Sequence, residues 1–270
     1  SAGSILTDAK DRFLQIAESY TWLNPHLAMT VNWCGEISEM AAITADWRKW
    51  NPSDPTSSHW YTSAHLERMI AGYIAHDEDV EHARTVREFV SEFRGLTGTA
   101  KQKAVLEATG LGRAVLSDFR NGAGLDRGRI GTLLDSMQAH SKPVKPPQLG
   151  IIGKDNFKRR FEAVGCEMES FNYRKVVDTQ DGVPWVIETA FGWCPEREQL
   201  DDPRLLVTGV NWSPGIINPF RELGAYGASL DTVLSQQRVD SDEPVVLVLH
   251  MACPRVEYTD RGKSAVVIGG

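Results

Sequence analysis

Residues 244–266 read PVVLVLHMACPRVEYTDRGKSAV. Val245–Ala252 is apolar apart from His250, and a run of that kind fits a strand covered on both faces at the centre of a sheet. It passes through Cys253-Pro254 into a polar segment that ends in Gly262-Lys263-Ser264. Gly-Lys-Ser after a strand suggests a phosphate-binding loop. Such a loop, G-x-x-x-x-G-K-[ST], needs its first glycine at position 257, so that successive backbone amides curl around the anion. Position 257 is Glu257, which repels phosphate, and Ala265-Val266-Val267-Ile268 is not the long helix that such a loop opens. Two readings of Lys263 survive. It is a surface lysine on a glycine turn, or a lysine that reaches a phosphate bound elsewhere.

Working back from the strand, Leu230–Gln236 reads as a helix and Leu205–Trp212 as a strand. Phe171–Val177 and Val183–Gly192 read as paired strands around the hairpin signal Gln180-Asp181-Gly182. Three strands, a helix and a strand describe an α+β sandwich with helices on one face. Residues 62–165 are helical in pattern. Thr62 or Ser63 caps a helix to about His76, and Glu81–Arg94 follows with Val86, Phe89, Val90 and Phe93 on one side. Thr99 caps Ala100–Ala108, which Gly110 stops; Ala114–Phe119 and Arg129–His140 are further short helices. Ser141–Pro147 is too proline-rich for helix, and Gly153-Lys154-Asp155 opens one more, to about Ala163. At the other end, residues 4–18 read as a helix, Asn24-Pro25-His26 as a break and Leu27–Trp33 as a strand. The polar, proline-rich residues 51–58 mark a boundary.

The totals narrow the class. The chain has 270 residues, 41% hydrophobic and 9% aromatic, which is ordinary globular composition. Its four cysteines, Cys34, Cys166, Cys194 and Cys253, form no C-x-x-C and have no histidine at ligand spacing. They read as reduced thiols of a cytoplasmic protein, with no metal site. No apolar run approaches the length of a membrane helix, and no signal peptide is visible. Net charge is −7, yet residues 101–160 hold twelve Lys/Arg against five Asp/Glu. An anion-binding face on an acidic body fits that asymmetry, as does a solvated helical surface. If the face meets duplex DNA, its candidates are Lys101, Lys103, Arg113, Arg120, Arg127, Arg129, Lys154, Lys158, Arg159 and Arg160, acting on phosphates without reading sequence. His250, in an apolar strand, reads as a hydrogen-bonded core residue, and His26 after Asn-Pro as a turn residue. Trp33, Trp47, Trp50 and Trp60 are spaced too irregularly for a stacking platform and read as packing.

The ordered segments carry a resemblance. The stretch 244–266 resembles the end of the transducer domain in B subunits of type IIB DNA topoisomerases (topoisomerase VI), where a buried strand leads to a Gly-Lys switch loop. Upstream, LLVTGVNWSPGIINP (205–219) is similar to a strand of the same domain. The family's Asn-Arg-Val-Pro element stands there as Asn211-Trp212-Ser213-Pro214. PPQLGIIGKDNF (146–157) resembles the link into the transducer, and TVREFVSEFRGLTGTAKQKAVLEATGL (85–111) the start of a helix-two-turns-helix domain. LNPHLAMTV (23–31) is similar to the end of a GHKL ATPase domain. The resemblance departs at Trp212, where the family has Arg, and at Cys253-Pro254.

The resemblance implies an α+β protein in four parts. Residues 1–50 are the tail of the ATPase domain, 51–61 a linker, 62–153 the helix-two-turns-helix-like domain and 154–270 an α/β transducer of the ribosomal-protein-like βαβ type. It implies that Lys263 contacts the γ-phosphate of ATP and that Gly262 lets the backbone bend toward the nucleotide. ATP and Mg2+ belong mainly to a region absent here: Asp126-Arg127-Gly128-Arg129-Ile130 fails the adenine-loop pattern at its second glycine. The implied partners are double-stranded DNA, a DNA-cleaving A-type subunit or other effector, and a second copy joined through the ATPase domain, with no membrane. By itself the chain is expected neither to hydrolyse ATP nor to cut DNA. Two alternatives keep the residues and change the class. One is a nucleotide-switched clamp in another DNA-processing or phage-defence system; the other is a stand-alone nucleic-acid-binding protein.

Overall fold

The computed structural model describes residues 2–122, 124–215, 217–221, 228–258 and 265–266, with side chains from Ala9 onward. It is mixed α+β, as the sequence reads. The chain divides into two compact units, one of residues 1–49, 146–178 and 184–270 and one of residues 50–145 and 179–183. Residues 1–49, read above as a separate piece, thus share a unit with the sheet.

In the first unit, α1 spans Ala2–Leu23 and outruns the expected 4–18. Ala17, Trp22 and Leu23 are buried at its C-terminal end, so tertiary packing carries the helix past its periodic stretch. Strand β1 (Met29–Trp33) pairs antiparallel with β2 (Glu36–Met40), a partner the sequence reading missed. The turn between them is Cys34-Gly35, both at positive φ (50° and 97°), and Asn32 Oδ1 accepts from the Gly35 N–H at 2.9 Å.

The second unit is helical around one apolar core, centred on Leu66, Ile70, Phe89, Phe93, Leu106 and Ile130. Thr62 caps α2 (Ser63–Asp79). The helix expected over Glu81–Arg94 is only α3, Val86–Ser91. Glu81 turns the chain at φ 52°, and a reciprocal Thr85–Glu88 capping box starts the helix late. Helix α4 (Thr99–Thr109) takes Thr99 as its first residue, with Gly98 at the cap, and stops at Gly110, left-handed at φ 68°. Ala114–Phe119 yields a 3-10 turn, Leu116–Phe119, then a two-residue ladder of β3 (Arg120–Asn121) and β4 (Gly124–Leu125). Asp126 caps α5 (Arg127–Ala139), so that helix begins earlier than Arg129.

The chain re-enters the first unit at Pro146 and then forms α6 (Lys154–Ala163). Strands β5 (Asn172–Gln180), β6 (Val183–Trp193), β7 (Leu205–Val210) and β8 (Ser213–Pro214) follow, then α7 (Leu230–Gln236) and β9 (Val245–Ala252). The sheet order is β5-β6-β9-β7-β8. The last strand enters the middle, antiparallel to β6 and parallel to β7, with α7 in the crossover that a parallel pair requires. The position of β9 confirms the reading of 245–252 as central: every residue but Leu247 is buried. Strand β7 stops short of Trp212 because Asn211 and Trp212 both take left-handed φ, 49° and 62°.

Two glycines let helices approach this sheet. A Cβ at Gly192 would lie 2.7 Å from the Phe161 ring of α6, and one at Gly209 would run into Leu23 of α1 and 2.7 Å from the Ser213 carbonyl. Cysteine usage differs from expectation. Cys166 and Cys194 form a disulfide, while Cys34 and Cys253 are free thiols. The turn after α6 folds back so that Glu167 N–H donates to Trp193 O at 2.8 Å, which brings together two cysteines 28 residues apart.

Candidate functional site

Gly262 and Lys263 lie outside the described residues, but their flanks lie within them. Tyr258 pairs antiparallel with Val266, whose N–H donates to Pro219 O at 2.9 Å. Ala265 and Val266 are buried. Further back, Asn211 brackets Cys253: Cys253 N–H donates to Asn211 Oδ1 at 2.8 Å, and Asn211 Nδ2 donates to Cys253 O at 2.9 Å. The stretch between β9 and the Gly-Lys segment is thereby fastened at the end of the strand and again across Tyr258–Val266.

Beneath it lies a polar cluster inside the sheet. Glu188 of β6 and His250 of β9 are register partners, and both side chains are fully buried. Glu188 Oε1 accepts from Gly153 N–H and the Tyr173 hydroxyl, each at 2.8 Å; Oε2 accepts from Ile152 N–H at 2.9 Å and stands 3.6 Å from His250 Nδ1. On the far side of the ring, His250 Nε2 accepts from Trp212 N–H at 3.1 Å. An acceptor at Nε2 puts the imidazole proton on Nδ1, facing the carboxylate. Burial lowers the His250 pKa and outweighs the upward pull of Glu188, so the ring is neutral. For Glu188 burial pushes upward, but His250 and the two amides outweigh it and hold the group below the usual carboxylate range. Glu188 is thus a carboxylate beside a neutral imidazole, and at 3.6 Å His250 Nδ1 stands beyond hydrogen-bond distance, without a partner among the described residues. Burial, with Glu188 next to it, pushes the Tyr173 hydroxyl pKa far up, so it stays a donor.

The cluster extends through Trp212, which is 2% exposed despite its left-handed backbone. A bulky residue at such a φ is strained and is kept there by its surroundings. The Trp212 ring lies 5.5 Å from His250 and 6.1 Å from Trp47, and Lys49 Nζ sits 5.6 Å from its centroid. Lys49 also donates to Asn24 Oδ1, and Asn24 Nδ2 donates to Trp212 O at 2.8 Å. Burial lowers the Lys49 pKa. The cluster therefore ties α1, β6, β7, β9 and the chain at Lys49 and Ile152-Gly153 into one body. Its chemistry is that of a fastening.

The basic candidates fall in both units. In the helical unit, Lys101 and Arg113 are exposed. Lys103 lies 3.6 Å from Glu107, Arg127 2.9 Å from Glu67 and Arg120 2.5 Å from Glu78. Arg129 donates to Asp118 O at 2.7 Å over the Phe119 ring. Arg120 and Arg127, with Arg68, line an open groove of about 490 Å³ between α2 and the β3–β4 ladder. In the sheet unit, Lys154 is exposed and Lys158 lies 3.7 Å from Glu162. Arg159 donates to Ile43 O at 3.4 Å. Arg160 donates to the carbonyls of Thr21 and Ala41, and burial lowers its pKa. These two arginines hold α6 to the N-terminal segment.

Among the described residues no group of three His, Cys, Asp or Glu is placed to hold a metal, and no helix is long and apolar enough to cross a membrane. No protein-family model matches the chain, and no curated protein matches it. Sequence reading placed His250 in the core but missed Glu188. The available signal was a lone acid at an inward position of the alternating strand Val186-Ile187-Glu188-Thr189-Ala190, which demands a buried partner.

Proposed function

We propose that this chain is the coupling portion of an ATP-dependent protein resembling the B subunit of topoisomerase VI. In this reading the helical unit corresponds to the helix-two-turns-helix domain and the β7–α7–β9 sheet to the transducer. Lys263 is the γ-phosphate-sensing lysine. The observation that supports it best is the fastening of the described chain on either side of the Gly-Lys segment, Cys253 to Asn211 and Val266 to Pro219.

An ammonium on a flexible stem suits a terminal phosphate, where charge spreads over the equatorial oxygens during transfer. When phosphate leaves, the anchor is lost and the fastened body is free to turn. ATP and Mg2+ are supplied by an ATPase region elsewhere in the polypeptide, and DNA cleavage by a partner subunit. The test is ATP hydrolysis by the polypeptide that joins this segment to its ATPase region, with and without supercoiled DNA. Lys263→Ala is expected to lower the rate by at least tenfold and to abolish stimulation by DNA. Unchanged hydrolysis makes Lys263 a surface lysine.

A further inference from the structure

Strand β5 stands at one end of the sheet order, and β6 is its only neighbour there. From Arg174 onward every residue in it is exposed, Val176 and Val177 at 41% each. Edge strands are usually kept short, bent by a bulge or interrupted by proline. This one runs for nine residues, Asn-Tyr-Arg-Lys-Val-Val-Asp-Thr-Gln, with neither proline nor glycine. Its charges, Arg174, Lys175 and Asp178, are of both signs. Two features fix which backbone groups face outward. Cys194 N–H donates to Pro244 O at 2.7 Å, which continues the unbroken β6–β9 register and turns even-numbered residues of β6 toward β9 and odd-numbered ones toward β5. At the hairpin, Asp181 and Gly182 take φ 49° and 79°, as a two-residue type I′ loop closing on Gln180 and Val183 requires. Even-numbered residues of β5 therefore bond to β6, and the N–H and C=O of Lys175 and Val177 point out of the sheet.

We propose that this edge pairs antiparallel with the same edge of a second copy of the chain, about a two-fold axis through Val176. Hydrogen bonding allows such an axis only at a residue, because an axis between residues sets an outward backbone group against an inward one. An axis at Lys175 opposes two lysines, and one at Val177 sets Asp178 against Val176. An axis at Val176 lets Lys175 and Val177 of one copy exchange bonds with Val177 and Lys175 of the other. It also sets Arg174 of each copy against Asp178 of the other, with the two Val176 side chains between them. These three residues share one face of the strand, and their pairs are of the non-hydrogen-bonded kind, in which side chains approach most closely. Opposite charges so placed stabilise a pairing, and like charges disfavour it. The strand is complementary to itself in bonding pattern and in charge. One strand edge is small beside the ~1,200–2,000 Å² of a standard interface, so the dimer forms and separates with concentration. The pairing uses neither Lys263 nor an ATPase region and stands whether or not the topoisomerase-like reading holds.

The test is sedimentation equilibrium of the 270-residue chain over a range of concentrations, together with amide hydrogen exchange. A reversible monomer–dimer equilibrium is expected, with exchange at Lys175 and Val177 slowing as the dimer forms. Val177→Pro removes an outward N–H at a position where an edge strand tolerates proline, and should weaken the dimer about tenfold or more. Arg174→Asp and Asp178→Arg should each weaken it by a similar factor, because like charges then face one another twice. An equimolar mixture of those two variants should associate as the parent chain does, since every aspartate then meets an arginine; that recovery also shows that both variants fold. Monomer at every concentration overturns the proposal and leaves the edge to a strand of another protein. A dimer that Val177→Pro leaves intact overturns it too, as does a mixture no more associated than its components.

Discussion

Removing the Glu188 carboxylate leaves the amides of Ile152 and Gly153 and the Tyr173 hydroxyl without their shared acceptor. Glu188→Ala is expected to destabilise the sheet unit by about 3–5 kcal/mol, measured by urea unfolding, with Glu188→Gln costing less because one oxygen remains. Acid acts on the same pair. His250 has a folded pKa below its ordinary 6.5, so below that pH the unfolded chain binds the extra proton and stability falls. Glu188, also held low, adds its loss further down, as pH drops through the carboxylate range toward its folded value. Both contributions are complete at neutral pH. Melting temperature should therefore decline from about pH 6.5 downward, and His250→Gln, which keeps an acceptor for Trp212 N–H but does not titrate, should flatten the first part of that decline. A decline of equal slope in the variant would remove His250 from the account. Neither residue's partner was legible in the sequence, because cross-strand neighbours far apart in the chain are set by sheet order, which local pattern does not encode.

At the scale of elements, local chemistry was the better guide. The bounds of α7 and β9 match their readings because a Ser229 cap and an apolar run interrupted only by His250 mark them. The helix expected over 81–94 failed because apolar periodicity alone ignored the Thr85-x-x-Glu88 box, which outweighs a weak N-terminal turn. Thr85→Ala is expected to cost about 1 kcal/mol, and a Glu88→Gln change less, in the unfolding of the helical unit. The strand that ended early, at Val210, shows the opposite limit. Nothing in Asn211-Trp212 announces a left-handed tryptophan, whose conformation comes from His250, Trp47 and Lys49 around it. Gly209→Ala, one residue upstream of that turn pair's strand end, should lower the melting temperature by pushing a methyl group into Leu23 and the Ser213 carbonyl.

For the molecule as a whole, two compact units predict two unfolding transitions, and the disulfide belongs to one of them. Cys166 and Cys194 close a loop of 28 residues around the β5–β6 hairpin, so reduction, or replacement of both by alanine, should lower the sheet unit's transition by about 3–4 kcal/mol and leave the helical unit's in place. Equal shifts in both transitions would mean that the units unfold together. If the exposed lysines and arginines of the helical unit contact DNA, affinity should fall steeply with salt and Lys101→Ala with Arg113→Ala should reduce the slope by up to about two.

The chain leaves the sheet unit at Lys49 and returns at Pro146, and just beyond the return Gly150, at φ 111°, lies so near that a methyl group on it would come within 2.9 Å of the Lys49 Cα. An intervening segment of some hundred residues thus begins and ends almost at one point on its host. That is the geometry of a domain insertion, in which the guest can be lengthened, exchanged or lost while the host keeps its continuity. A bridge of a few glycines from Lys49 to Gly150 would rejoin the host in the shape it already has, and would turn the helical guest into a cassette that can be removed without unravelling the sheet.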